Sequence, residues 1–336
     1  MELSEIKKKY SWLGLCLTVF IAGEFGGSKL LQLVFKTIDA DIANNSWVTY
    51  ICSMIPIWGF GFPLCLLLLR KLPKQQPEMH DVKFKYMIAF YMMITSVMVG
   101  ANIIGNLIGI GIKVITGTKI ANSTIDMISE QGYLQTLIFA VLLGPIMEEL
   151  FFRKILIDRI GQYSKRYAII LSGLIFGLFH TNFYQFFYAT LIGVIFAYIY
   201  TISGKIRYTM ILHMIINCVH GLIPIFLMKH MNLKDLEEIQ NMDYGQLGDP
   251  ELQKKVLSLY ANPAFSLFVL YAMLILAFII TGIVLLIINR KKMKVDDSAS
   301  PLNKSNALKT IYLNPGMIIF LIVILAATVY ETIIAL

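Results

Sequence analysis

Glu148 and Glu149 stand side by side at the end of a long apolar run, and Arg153 follows the second by one helical turn. Two later apolar runs carry His180 and the pair His213 and Asn217. An ionisable side chain at membrane depth is unfavourable by a few kcal/mol, so such residues are rare and face a protein-lined cavity. Gathered in one place, carboxylates and imidazoles could take a proton from water and return it to a leaving group. An amide beside them could hydrogen-bond a developing oxyanion. Glu149 and Arg153 share one helical face and can pair, whereas Glu148 is turned about 100° away and is left free. An unpaired carboxylate beside a paired one is how a general base is prepared.

Each residue also has a plainer reading. Both glutamates and Arg153 could form a buried polar clamp that fixes helix packing. His180, which ends Phe176-Gly177-Leu178-Phe179-His180, could be a hydrogen-bonded interfacial histidine, with Phe176 walling the same cavity. Asn217 could tie two membrane helices together. His220 continues the His213 and Asn217 stripe and is read as structural. What favours chemistry is the set, with polar groups in three separate segments.

The elements that must position this set are membrane helices. The chain has 336 residues, 57% hydrophobic and 15% charged, with a mean hydropathy of +0.70. Soluble domains carry roughly 25% charged residues, so the composition is that of an all-α polytopic transmembrane bundle. A span needs about 20 apolar residues. Helices are expected near 10–35, 47–69, 84–112, 134–158, 166–182, 184–203, 207–228, 263–289 and 315–336, nine spans, or eight if the last lies elsewhere. They divide into N-terminal helices and a loop (1–133), a core with the polar set (134–228), and an outer loop with C-terminal helices (229–336). Residues 113–133 and 229–262 read as exposed loops with short surface helices. At 1.5 Å per residue Glu148 lies about 17 Å from the Arg159 end of its helix, His180 about 21 Å from Arg166 and Asn217 about 15 Å from Arg207. His213, about 9 Å from Arg207, is the outlier.

Charge sets the topology. Lys7 to Lys9, then Arg70, Lys71, Lys74, Lys83 and Lys85, then Lys154, Arg159, Lys165 and Arg166, then Lys205 and Arg207, then Arg290 to Lys294, Lys304 and Lys309 mark alternate connections. By the positive-inside rule the N-terminus is cytoplasmic and the C-terminus outside. The net charge of +8 is therefore a topology signal, and no basic-aromatic surface suggests nucleic acid. The expected partners are membrane lipids and a peptide or lipidated protein. Oligomeric state is not encoded in any pattern found. Cys16, Cys52, Cys65 and Cys218 lie in apolar runs and suggest packing only. The first apolar run continues past Gly26-Gly27 towards Phe35 without a cleavage-type site, so an uncleaved first helix is expected.

Other intramembrane chemistries lack their motifs: no His-Glu-x-x-His, no Gly-x-Ser-x-Gly and no Gly-x-Gly-Asp in an apolar run. The ordered set Glu148-Glu149…Arg153, Phe176…His180 and His213…Asn217 resembles the CPBP family of intramembrane proteases. That family includes the second type of CAAX prenyl proteases and bacteriocin-processing and self-immunity proteins. The resemblance covers about residues 134–228. It implies an endopeptidase in which Glu148 with His180 activates water, His213 and Asn217 stabilise the oxyanion, and Glu149 and Arg153 hold their helix. A divalent metal such as Zn2+, held by Glu148, His180 and His213, and a metal-free glutamate–histidine base suit the set equally. The substrate would be a prenylated tail or a leader, pheromone or bacteriocin precursor, and loop charge suggests a bacterial plasma membrane. The rival readings are a non-catalytic scaffold or immunity protein of the same fold, and a proton-coupled small-solute transporter.

Overall fold

A computed structural model describes residues 2–43, 45–117, 132–231 and 250–334. These residues are almost wholly helical, with no strand among them. Most of the two expected loops, residues 118–131 and 232–249, lies outside the described residues.

The principal helices are α1 (Leu3–Ile38), α2 (Trp47–Leu69), α3 (Phe84–Ile115), α4 (Tyr133–Ile160), α5 (Lys165–Phe179), α6 (Phe183–Ser203), α7 (Ile206–His230), α8 (Pro250–Ala261), α9 (Pro263–Asn289) and α10 (Pro315–Thr332). All but α5 and α8, eight helices, are long and apolar enough to cross a membrane. The helix expected over 166–182 is present as α5 but has only 15 residues, about 22 Å of rise. Much of its surface packs on neighbours, since Leu171, Ile175 and Phe176 are buried, while Ile170 faces outward. By contrast α9 leaves Leu270, Met273, Leu276 and Ile280 more than half exposed. A helix apolar all round and unburied by protein is solvated by hydrocarbon.

The basic clusters gather at one end of the bundle. Lys9 lies over the Tyr163 ring at 5.5 Å, Arg159 donates to the Leu69 carbonyl at 3.0 Å, and Lys205 and Arg207 reach Asp81 at 2.7 and 2.9 Å. The Lys165 backbone N–H donates to Asp297 at 2.7 Å. Helices α1, α5 and α10 run away from this basic end, while α4 and α6 run towards it. A pocket of about 510 Å³ opens there between residues 75–80, 161–165 and 294–300, remote from the motif residues.

One apolar core joins α1, α2, α4, α5 and α10, with Tyr10, Leu13, Phe20, Phe151, Leu156 and Phe320 at its centre. Close helix crossings depend on missing side chains. A Cβ on Gly173 would fall 2.6 Å from the Val194 nitrogen, and one on Gly177 2.9 Å from the Thr190 nitrogen. Two glycines one turn apart thus let α5 lie against α6, the small-residue packing that membrane helices use. Gly14 of α1 and Gly316 of α10 approach in the same manner, tied by the Gly316 N–H donating to Ser11 Oγ at 2.9 Å.

Three spans widen into π-helical turns, Ile55–Gly61 in α2, Thr136–Leu143 in α4 and Asn217–Leu222 in α7. Each ends two residues before a proline: Pro63, Pro145 and Pro224. Proline has no N–H for the carbonyl four residues back. Pairing five residues back, as from Phe62 to Ile57, Gly144 to Phe139 and Ile223 to Cys218, satisfies the neighbouring carbonyls instead. A further π-helical stretch, Leu150–Ile155, starts directly after Glu149 and has no proline behind it. Such bulges concentrate at functional sites.

Candidate active site

The polar set converges from α4, α5 and α7. Arg153 is wholly buried and donates through Nε to Glu149 Oε2 at 3.0 Å, through Nη2 to Glu149 Oε1 at 3.3 Å, and through Nη1 to Ser172 Oγ at 2.9 Å. The Ser172 hydroxyl in turn donates to the Phe152 carbonyl at 2.8 Å. The guanidinium also lies over the Phe176 ring at 4.8 Å, a stacked position that suits arginine and not lysine. The i,i+4 pair expected from sequence is therefore present, and α5 completes it.

His213 of α7 closes the clamp from the other side, and its Nδ1 is 3.0 Å from Glu149 Oε1. Thr209, one turn earlier on α7, lies beside Glu149, with its hydroxyl donating to the Ile206 carbonyl at 3.0 Å. An ionised carboxylate only accepts, so Nδ1 is the donor and the imidazole turns Nε2 outward. That edge lies 3.7 Å from Glu148 Oε2. The ring packs between Phe176, at 5.7 Å, and Phe196, at 5.1 Å. The depth mismatch computed for His213 does not keep it from the glutamates.

Glu148 behaves differently from its neighbour. Its side chain is 28% exposed, and no hydrogen-bond donor among the described residues holds it. His180 caps the C-terminal end of α5. Its Nδ1 donates to the Phe176 carbonyl at 2.7 Å, which leaves Nε2 as the free acceptor. Glu148, His213 and Arg153 are its electrostatic neighbours. Thr181, directly after it, has φ of 47°. A β-branched residue in the left-handed region is strained, and here the strain falls in the tight reversal that ends α5 at His180 and starts α6 at the Asn182 cap.

Asn217 sits at the α7 bulge and donates one amide proton to the Ala140 carbonyl at 2.8 Å. Ala140 belongs to the π-helical stretch of α4, so two irregular segments meet through this bond. His220 faces elsewhere, towards Tyr91 Oη at 3.4 Å and Thr95 Oγ1 at 3.2 Å on α3.

Sequence reasoning did not single out four of these neighbours as partners of the set: Ser172, Thr209, Ala140 and Tyr188 of α6, an electrostatic neighbour of Glu148. The first was legible, since Ser172, Phe176 and His180 form an i, i+4, i+8 stripe. Both imidazoles tie Nδ1 to an acceptor and present Nε2, the arrangement that also orients metal ligands. Yet among the described residues no three histidine, cysteine, aspartate or glutamate side chains are close enough to hold one metal ion. The donor chemistry suits a metal; the spacing as it stands does not.

In this helical membrane bundle the glutamate pair thus lies beside His213 and within electrostatic reach of His180, with Asn217 tied to α4 nearby. The segment that carries them is similar to a known endopeptidase family. Residues 130–219 match the family described as "Type II CAAX prenyl endopeptidase Rce1-like". Over 159 residues the chain is 27% identical to a Bacillus subtilis (strain 168) protein named "Putative membrane peptidase YdiL"; the shared stretch is 45% of this chain and 63% of that protein. No solved structure matches.

Proposed function

We propose that the protein is an intramembrane endopeptidase that uses a glutamate and a histidine to activate water against a peptide bond. The observation that carries this reading is the division of labour between adjacent carboxylates. Glu149 is held by Arg153 and His213, while Glu148 is left partly open within electrostatic reach of His180.

In this mechanism a water bridges Glu148 and His180 Nε2. As its oxygen attacks the substrate carbonyl, Glu148 takes the proton and later delivers it to the departing amine nitrogen, so the carboxylate is regenerated. The second amide proton of Asn217 hydrogen-bonds the oxyanion, and so does His213 Nε2–H when that ring is doubly protonated. Glu149 and Arg153 touch no reacting atom; they fix the ring of His213 and the helix that carries Glu148. General-base catalysis of this kind contributes about 10²- to 10⁴-fold.

The substrate class is a membrane-associated peptide or a lipidated protein tail, such as a prenylated C-terminus or a leader, pheromone or bacteriocin precursor. By the positive-inside rule the basic end faces the cytoplasm of a bacterial cell, with the N-terminus inside and the C-terminus outside. Comparison of peptide ends in cells carrying wild type or Glu148→Ala tests the reading. Peptide ends that vanish with Glu148→Ala while protein level stays constant are the expected result. Identical sets of peptide ends would refute it.

A further inference from the structure

Glu24 lies midway along α1, outside the segment that matches the protease family, and it faces the same site. The register of three helices shows this. Phe20 packs against Phe151 at a ring separation of 4.7 Å and against Phe179 at 5.0 Å. Phe152 and Phe176 extend this aromatic layer, 5.2 Å apart. One turn away from the basic end along α1 comes Glu24. One turn in the same direction along α4, which runs oppositely, comes Glu148, and the next residue of α5 is His180. The three polar residues therefore form a layer directly above the aromatic one, and the electrostatic neighbours of Glu24 are Glu148 and Glu331. Glu331 has a cation of its own, since Lys29 Nζ is 3.6 Å from its carboxylate. Glu24 has none, and no hydrogen-bond donor among the described residues reaches it.

A half-buried carboxylate at membrane depth, beside a second one and without a cation, lacks the partner that makes such burial tolerable. We infer that Glu24 is a specificity-determining residue of this site: across from Glu148, its carboxylate holds a cationic group of the peptide next to the bond that is cut. The inference rests on the protease reading and adds the chemistry of what is recognised. A lysine or arginine side chain, or a free amino terminus, in an otherwise apolar peptide has the required charge. Its long apolar stem would lie along the Phe20 and Phe179 layer while the charged head reaches Glu24.

The test uses the full-length protein in lipid vesicles and a set of synthetic apolar peptides that differ only by Lys, Gln or Glu moved through the central positions. Cleavage sites and rates are read by mass spectrometry. Wild type is expected to cut beside the lysine at least about tenfold faster than the matched glutamine peptide. E24Q should raise KM for the lysine peptides roughly ten- to hundredfold, the worth of a charged hydrogen bond, and erase the difference. E24K should shift the preference to glutamate peptides, whereas E24D and E331Q should both keep the lysine preference. Equal rates on the lysine and glutamine peptides with wild type, or an undiminished preference in E24Q, overturns the inference and leaves the protease reading intact. Should E24Q not fold, the reversal in E24K decides. If wild type cuts no peptide faster than Glu148→Gln, the protease reading itself fails, and this inference with it.

Discussion

Glu148 and Glu149 are neighbours in sequence and opposites in environment. Glu149 is fully buried and held by two arginine nitrogens and an imidazole. Glu148 is partly open and touches one ring edge at 3.7 Å. Since successive helical residues point about 100° apart, one turn of α4 can present a saturated carboxylate to the core and an unsaturated one to a cavity. In the proposed mechanism the saturated member gives rigidity, and the unsaturated one moves a proton. The same division separates the two ends of the molecule. At the basic end, ion pairs such as Asp81 with Lys205 and Arg207 are exposed, where each is worth little. The Glu149–Arg153 pair is dry, where breaking it leaves a buried charge unpaired.

The largest expected effect comes from opening the clamp. Arg153→Ala or Glu149→Ala should lower stability by about 3–5 kcal/mol, the loss expected when one partner of a buried pair is removed. The buried thiols of Cys16, Cys52 and Cys65 report unfolding by their reactivity. Wild-type resistance of those thiols in Arg153→Ala would mean that the clamp does not hold the fold.

Asn217→Ala probes the contrast from the cavity side. In the proposed mechanism it removes an oxyanion donor, worth about 10²- to 10³-fold in kcat, and with it the tie to Ala140, worth about 1 kcal/mol. A loss confined to stability, with kcat unchanged in the folded fraction, would leave Asn217 a packing residue.

A smaller effect is expected at the exposed end. The pKa of Asp81 is lowered from 3.8 to about 2, first by the hydrogen bond from Lys205 and then by that from Tyr208. A depressed carboxylate stabilises the fold above its ordinary value. This contribution is therefore present above pH 3.8 and fades as pH falls towards 2. Proteolysis of the 73–83 connection should increase over that range in wild type and show no such step in Asp81→Asn.

For metal removal the expected effect is none. With the three donors too dispersed to share an ion, cleavage should survive exhaustive chelation. Activity lost on chelation and restored by Zn2+ would instead make Glu148, His180 and His213 ligands.

Much of this was legible in the chain. Long apolar runs and alternating basic clusters locate the spans because hydropathy and topology are local signals. The i,i+4 spacing of Glu149 and Arg153, and of Phe176 and His180, forecasts shared faces because helix geometry is regular. What escaped was non-local or irregular. A 15-residue α5 looked like a full span because Thr181 and Asn182, which end it, are weak breakers. The π-helical turns gave no sign except the prolines two residues beyond three of them. Glu24 was hidden by distance in sequence, since only the packing of Phe20 on Phe151 shows that α1 delivers it to the site.

The central claim is that Glu148 is free for chemistry because Glu149 carries the structure. Glu148→Gln and wild type, purified side by side in lipid, should be compared for peptide cleavage and for thiol-detected unfolding. The account predicts an unchanged unfolding transition with cleavage reduced at least about 10²-fold. Cleavage at the wild-type rate by a folded Glu148→Gln protein would contradict it.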